Sequence, residues 1–183
     1  IAGKYASDDS FARELIARYE ARDPSQPVFL YGMSMENHQT YTPEKYGQPS
    51  GFPAQCDKLS QEDLAILDAL VMGLHHADAS LGLLTDYFSQ VEEPTMILLF
   101  GDHQPQVATN FYTEMLGGAF EDVDIAVAQQ RQEVPFLLWA NYDIPEQEGI
   151  VTSLNYLSTL LVETAGLPLT GYQTFLSGIR GEV

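Results

Sequence analysis

The sequence predicts an α/β domain with a largely parallel sheet. Short apolar runs alternate with longer segments of helical period, and the runs end in glycine, proline or polar residues. Size agrees: 183 residues with 45% hydrophobic side chains are enough for one compact core, so residues 1–183 are expected to form a single domain.

The elements follow in chain order. Ser7-Asp8-Asp9-Ser10 opens a segment that sets Phe11, Leu15, Ile16 and Tyr19 on one face; this predicts a helix over 7–22 with an acidic start, closed by Asp23-Pro24. The apolar run at 28–33 (Val-Phe-Leu-Tyr-Gly-Met) predicts a buried strand. Residues 36–55, with three prolines, two glycines and two tyrosines, read as an ordered loop. Ser60 and Asp63 form a capping pair. Leu64, Leu67, Val71, Leu74, Leu81, Leu84 and Phe88 then keep helical spacing to about residue 90, with a kink expected near Gly73. The run 95–100 (Thr-Met-Ile-Leu-Leu-Phe) is the strongest strand signal, 133–140 is a further strand, and 153–165 a helix ended by Gly166 and Pro168.

Charge excludes some functions. Eight Lys+Arg against 26 Asp+Glu leave a net charge of −18, which repels phosphate backbones and anionic lipid headgroups, so nucleic-acid binding is not expected. The same shortage of cations means that a phosphate or sulfate substrate would need a metal ion to balance its charge. Cys56 is the only cysteine, so the chain is neither a disulfide scaffold nor a cysteine-ligated zinc module. No uninterrupted apolar run approaches the ~20 residues of a membrane span.

Ligands of open α/β sheets bind beyond the carboxyl ends of strands. Two runs deliver polar residues there: one leads into Ser34-Met35-Glu36-Asn37-His38, the other into Gly101-Asp102-His103. A carboxylate and an imidazole after a permissive glycine suit a divalent cation. The alternative is that Asp102 caps the next helix and His103 bonds a loop carbonyl. Glu36 reads as a solvated loop acid, and His38 as either a solvent-facing or a functional histidine. His75 and Asp78 share a helix face, as a metal pair or a polar patch. No Gly-x-Ser-x-Gly elbow, P-loop or dinucleotide fingerprint is present.

Residues 29–41 (Phe-Leu-Tyr-Gly-Met-Ser-Met-Glu-Asn-His-Gln-Thr-Tyr) resemble the Met-Glu-Asn-His segment of lipoteichoic acid synthase-like and phosphoglycerol transferase-like proteins, within the sulfatase branch of the alkaline phosphatase superfamily. Leu98-Leu99-Phe100-Gly101-Asp102-His103-Gln104-Pro105 is similar to that family's metal-ligand motif. Ala77 to Gly82, Val134 to Asp143 and the 153–169 segment resemble further family segments in the same order.

The resemblance implies an alkaline phosphatase-like α/β/α sandwich with a mostly parallel mixed sheet, of which this chain would be the C-terminal part. It implies a divalent metal (manganese or magnesium, with zinc or calcium as alternatives) bound by Asp102 and His103, with His38 in the substrate pocket. The family's Thr or Ser nucleophile and its first acidic metal ligand lie upstream of the segment matching Asp8, so the chain has no counterpart of either. The reaction implied is phosphoglycerol transfer from a phospholipid or polyol-phosphate donor to a cell-envelope polymer. A membrane-anchored parent protein would carry it out at the extracytoplasmic face of a bacterial membrane. Sulfuric or phosphoric ester hydrolysis is the alternative; a non-catalytic binding module and a stand-alone metalloprotein are alternatives of other classes. Gln39-Thr40 and Gln104 depart from the family pattern. The chain alone is expected to be inactive, to bind metal weakly and to self-associate.

Overall fold

The computed structural model describes residues 4–107, 109–119 and 122–180. Its elements are α1 (Asp8–Glu20), α2 (Gln61–Phe88), β1 (Met96–Phe100), α3 (Thr109–Leu116), α4 (Ile125–Gln130), β2 (Phe136–Ala140), α5 (Leu154–Thr164) and α6 (Gly171–Ile179). They fall into two compact units: residues 1–87 with 102–134, and residues 88–101 with 135–183.

The first unit is helical and carries a long ordered loop. Ser7 caps α1, its Oγ accepting from the Ser10 N–H at 3.3 Å, and Asp8 and Asp9 sit in the first turn where the helix dipole favours them. Tyr19 packs edge-on against Tyr87 of α2, and the Arg22 guanidinium lies 3.6 Å above the Tyr19 ring. The expected cap of α2 is present: Ser60 Oγ accepts from the Asp63 N–H and donates to the Asp63 carboxylate. Buried Ala69 and Leu70 on α2 pack with Tyr41, and Ile66, Leu67 and Val107 close around them. By length and composition α2 could cross a membrane, yet Asp68, His75, His76 and Asp78 interrupt it.

The second unit holds the sheet. β1 and β2 pair antiparallel, with Met96 opposite Ala140 and Phe100 opposite Phe136; Gly101 N–H extends the ladder to the Pro135 carbonyl. Asn141 secures the approach to β1. Its Nδ2 donates to the carbonyls of Phe88, Val91 and Glu93, and its Oδ1 accepts from the Thr95 N–H at 2.7 Å. Its two amide hydrogens are shared among the three carbonyls, of which Phe88's also accepts from the Val91 N–H and Glu93's from the Thr95 hydroxyl. α5 ends as its glycine predicts: Gly166 takes φ +67°, and Leu167 N–H bonds back to the Val162 carbonyl. Tyr156, Leu157 and Leu176 are buried, and Glu163 of α5 meets Arg180 at 2.9 Å and the Ser177 hydroxyl.

Two expectations are corrected. Residues 28–33 form no ladder among the described residues, and Phe29, Tyr31 and Met33 are 80%, 67% and 59% exposed. An apolar run becomes a strand only where a neighbour takes its backbone hydrogen bonds, and here the run lies along α1 instead, with Gly32 against Phe11. The expected parallel pairing is likewise missing among the described residues, where the one ladder is antiparallel. The α/β class itself holds. Helices α3, α4 and α6 add to the elements that the sequence predicts.

Candidate active site

The loop that carries His38 is anchored to both long helices. Glu36, expected to be a solvated acid, is fully buried. Its Oε2 accepts from the Asp8 N–H at 2.5 Å, and its Oε1 meets His76 Nδ1 at 2.5 Å. The reason is local: the first N–H groups of α1 have no partner within the helix, and α2 presents an imidazole opposite them, so a carboxylate between the two is satisfied when buried. His76 also receives the edge of the Tyr46 ring, centroids 5.1 Å apart.

Asn37 makes the second attachment. Its Nδ2 donates to the Gly73 carbonyl at 2.8 Å, and Tyr41 Oη donates to the Asn37 carbonyl at 2.6 Å. A Cβ on Gly73 would fall 1.8 Å from Asn37 Oδ1 and 2.7 Å from Tyr46 Oη. The glycine expected to kink α2 is therefore the notch that seats the loop.

Burial, together with the nearby Glu36 carboxylate, holds the Asp8 carboxyl above its ordinary range; a Ser34 hydroxyl opposes this. The Ser80 hydroxyl donates to the Asp8 carbonyl at 3.0 Å. Tyr46 is pushed well up by burial and then by Glu36 and Asp8, so its phenol stays protonated. Burial lowers Lys45, whose Nζ donates to the His38 carbonyl at 2.8 Å.

His38 itself is exposed. Its N–H closes a turn onto the Met35 carbonyl, and its Nδ1 lies 3.0 Å from the Gln39 carbonyl and 3.2 Å from Tyr5 Oη. Beside the loop opens a cleft of about 470 Å³ lined by Tyr41, Pro43, Glu44, Glu62 and Ile66. Two carboxylates on its wall make it a poor seat for a phosphate or sulfate.

Asp102 and His103 follow β1 directly. Asp102 does not cap a helix; its Oδ1 accepts from the His103 N–H at 2.9 Å. That bond turns its Oδ2 toward the neighbouring ring, 3.6 Å from His103 Nε2. His103 Nδ1 lies 2.8 Å from the Gln104 carbonyl, which can only accept, so in the neutral ring the hydrogen sits on Nδ1 and Nε2 keeps its lone pair. This is the arrangement of a metal-binding histidine, whose second nitrogen donates to a carbonyl or carboxylate. Ligand atoms about 2.1 Å from one ion stand about 3.4 Å apart when tetrahedral and about 3.0 Å apart when neighbours in an octahedron. The 3.6 Å here is nearer the tetrahedral spacing, and a manganese or magnesium site would draw the two atoms closer. The pair fits half of a dication's coordination. Among the described residues no group of three or more His, Cys, Asp or Glu side chains converges.

The two loops are joined. Gln39 Nε2 donates to Gln106 Oε1 at 3.1 Å. Residues 102–107 are further held by Gln104 donating to the Glu133 carbonyl and by Tyr112 Oη donating to the Pro105 carbonyl, with the Arg131 guanidinium 3.5 Å above the Tyr112 ring. The His75–Asp78 face does not come together: no bond or ion pair joins them among the described residues, and the His75 ring lies against Phe52. Cys56 is a free thiol in the loop ahead of α2.

This architecture is that of the sulfatases. The family model matches residues 2–166, and the chain belongs to the sulfatase family. Among solved structures it resembles the Streptococcus pyogenes phosphoglycerol transferase GacH, determined with sn-glycerol-1-phosphate. The TM-score is 0.78 over 99% of this chain and 43% of that one, at 16% identity, which establishes a common alkaline phosphatase-like fold. In sequence it is 27% identical over 180 residues to a Rhizobium meliloti (strain 1021) protein named for cyclic beta-1,2-glucan modification. It is also 25% identical over 103 residues to the capsular polysaccharide biosynthesis protein RkpI of the same organism. The chain covers 28% of the first relative's length and 16% of the second's.

Proposed function

We propose that this chain is the metal-binding and substrate-orienting part of a divalent-metal-dependent transferase. The enzyme would move phosphoglycerol from a phospholipid or polyol-phosphate donor onto a cell-envelope glycan. The observation that carries the reading is the Asp102–His103 pair, whose Oδ2 and Nε2 stand 3.6 Å apart with the other imidazole nitrogen committed to a carbonyl. Family membership supports ester chemistry at phosphorus or sulfur. The names of the two relatives favour a glycan acceptor, and with it the extracytoplasmic face of the membrane.

Asp102 Oδ2 and His103 Nε2 would hold manganese or magnesium, with zinc or calcium as alternatives. The ion would supply the positive charge that a chain of net charge −18 lacks, drawing electron density from the phosphoryl oxygens. His38, on a loop fixed by Glu36 and Asn37, would orient the phosphoryl or glycerol group through its outward ring nitrogen. The hydroxyl nucleophile and the remaining metal ligands would come from the rest of a longer protein. The chain alone is then inactive and binds metal weakly.

The test uses the full gene product in detergent with manganese, a radiolabelled phosphatidylglycerol donor and a cyclic glucan acceptor. Label should pass to the glucan, and Asp102→Ala or His103→Ala should abolish transfer. Release of free phosphate or sulfate from simple esters, with no transfer, would instead establish a hydrolase. Turnover indifferent to chelator and to both substitutions would overturn the metal assignment.

A further inference from the structure

A residue outside every motif touches the His38 ring. Tyr5, three residues ahead of α1, places its Oη 3.2 Å from His38 Nδ1, and its ring meets the imidazole edge-on at a centroid distance of 5.6 Å. The same Nδ1 lies 3.0 Å from the Gln39 carbonyl. A carbonyl oxygen has no proton to give, so the Gln39 contact is a hydrogen bond only when Nδ1 carries the hydrogen. The Tyr5 oxygen can then accept from that same N–H as a second partner. A neutral ring protonated on Nδ1 has its lone pair on Nε2.

We propose that Tyr5 is a positioning residue for His38: with the Gln39 carbonyl it locks the imidazole as the Nδ1–H tautomer. In its neutral form the ring thus offers Nε2 as a proton acceptor. The inference rests on the reading of His38 as a substrate-pocket residue and sharpens it. Such a ring accepts from a glycerol or sugar hydroxyl at Nε2, and becomes a donor toward a phosphoryl oxygen only after taking up a proton. Three neighbouring contacts fix the backbone from which the ring projects. The His38 N–H is tied to Met35, its carbonyl to Lys45, and Lys45 stands over the Tyr41 and Tyr46 rings at 5.0 and 5.5 Å. His103 carries the same Nδ1-to-carbonyl contact without a tyrosine, and so serves as an internal control.

The experiment is long-range nitrogen–proton NMR of the imidazoles in this chain, at a pH where the rings are neutral, for the unaltered protein and for Tyr5→Phe. The phenylalanine keeps the ring contact and removes only the hydroxyl. His38 should be protonated on Nδ1 in the parent, and the Nδ1–H to Nε2–H ratio should fall about threefold or more in Tyr5→Phe, the size of one ordinary hydrogen bond. His103 and the melting temperature should not change. An Nε2–H His38 in the parent, or an unchanged ratio in Tyr5→Phe, overturns the proposal. The readout needs neither substrate nor metal, so it fails independently of the transferase assignment. In the full gene product, a transfer assay with Tyr5→Phe should lower kcat and leave donor KM unchanged. A change confined to KM would count against a role at His38.

Discussion

Two glycines of α2 give a paired test of how the His38 loop is seated. In an open helix interior, alanine is more favourable than glycine by about 1 kcal/mol. Gly82 meets that condition, with nothing within 4 Å of a new Cβ, so Gly82→Ala should stabilise the protein by about 0.5–1 kcal/mol. Gly73 does not. The same methyl would stand 1.8 Å from Asn37 Oδ1, 2.7 Å from Tyr46 Oη and 2.9 Å from Asn37 Cγ. Asn37 must withdraw, losing its 2.8 Å bond to the Gly73 carbonyl, worth about 0.5–1.5 kcal/mol. Its displaced amide N–H then needs a new partner, at about 1–3 kcal/mol. The helix gain is outweighed, and Gly73→Ala should be destabilising by about 1–3 kcal/mol. Urea unfolding followed by circular dichroism gives both numbers, and hydrogen exchange should show the amide of His38 losing protection only in Gly73→Ala. Equal stabilisation by the two substitutions, with the His38 amide unchanged, would refute the seating argument.

Other outcomes follow from single contacts. Asp8 has a raised folded-state pKa relative to its ordinary 3.8, so its contribution to stability is fully present below that value and is lost as pH rises through the folded-state value. Thermal melts of Asp8→Asn and the parent should therefore coincide near pH 3.5, with the variant melting higher by pH 7; a gap that shrinks with rising pH would contradict this. Asn141→Ala should cost about 1–3 kcal/mol in urea unfolding, because the Thr95 N–H and the Val91 carbonyl lose this partner, while the Phe88 and Glu93 carbonyls keep their other donors. Light scattering of this chain should show mass rising with concentration, since Phe29, Tyr31, Tyr172 and Phe175 are each at least 60% exposed; a constant monomer mass would argue otherwise.

What the sequence made legible is what local chemistry decides. Ser7 and Ser60 announce their helices because a hydroxyl before an acidic turn satisfies N–H groups wherever the helix lies. The Thr170–Gln173 box that starts α6 is equally local, a hydroxyl and an amide three residues apart serving each other's backbone N–H. Glu36 was misread for the opposite reason. Nothing beside it in sequence marks a buried carboxylate; its partners stand 28 positions back and 40 ahead, and only the fold brings Asp8 and His76 to it. Gly73 belongs to the same class, since a notch cannot be told from a kink without the side chain that fills it. The strand expected at 28–33 failed because hydrophobicity says that a segment avoids water, not that a neighbouring backbone is there to pair with it. For Asp102 and His103 the motif supplied the residues. Coordinates added the carbonyl behind the ring and the carboxylate oxygen turned toward its far side.

The amide-to-amide contact between Gln39 and Gln106 joins the His38 loop to the Asp102–His103 segment without using charge. Had either been a carboxylate, the tether would strengthen or slacken with each cation or phosphate arriving nearby. An uncharged link responds less to such traffic than an ion pair would, so a cation or anion arriving nearby would disturb this contact between the two loops less. In a surface with so few positive groups, a neutral link here is a form of mechanical insulation.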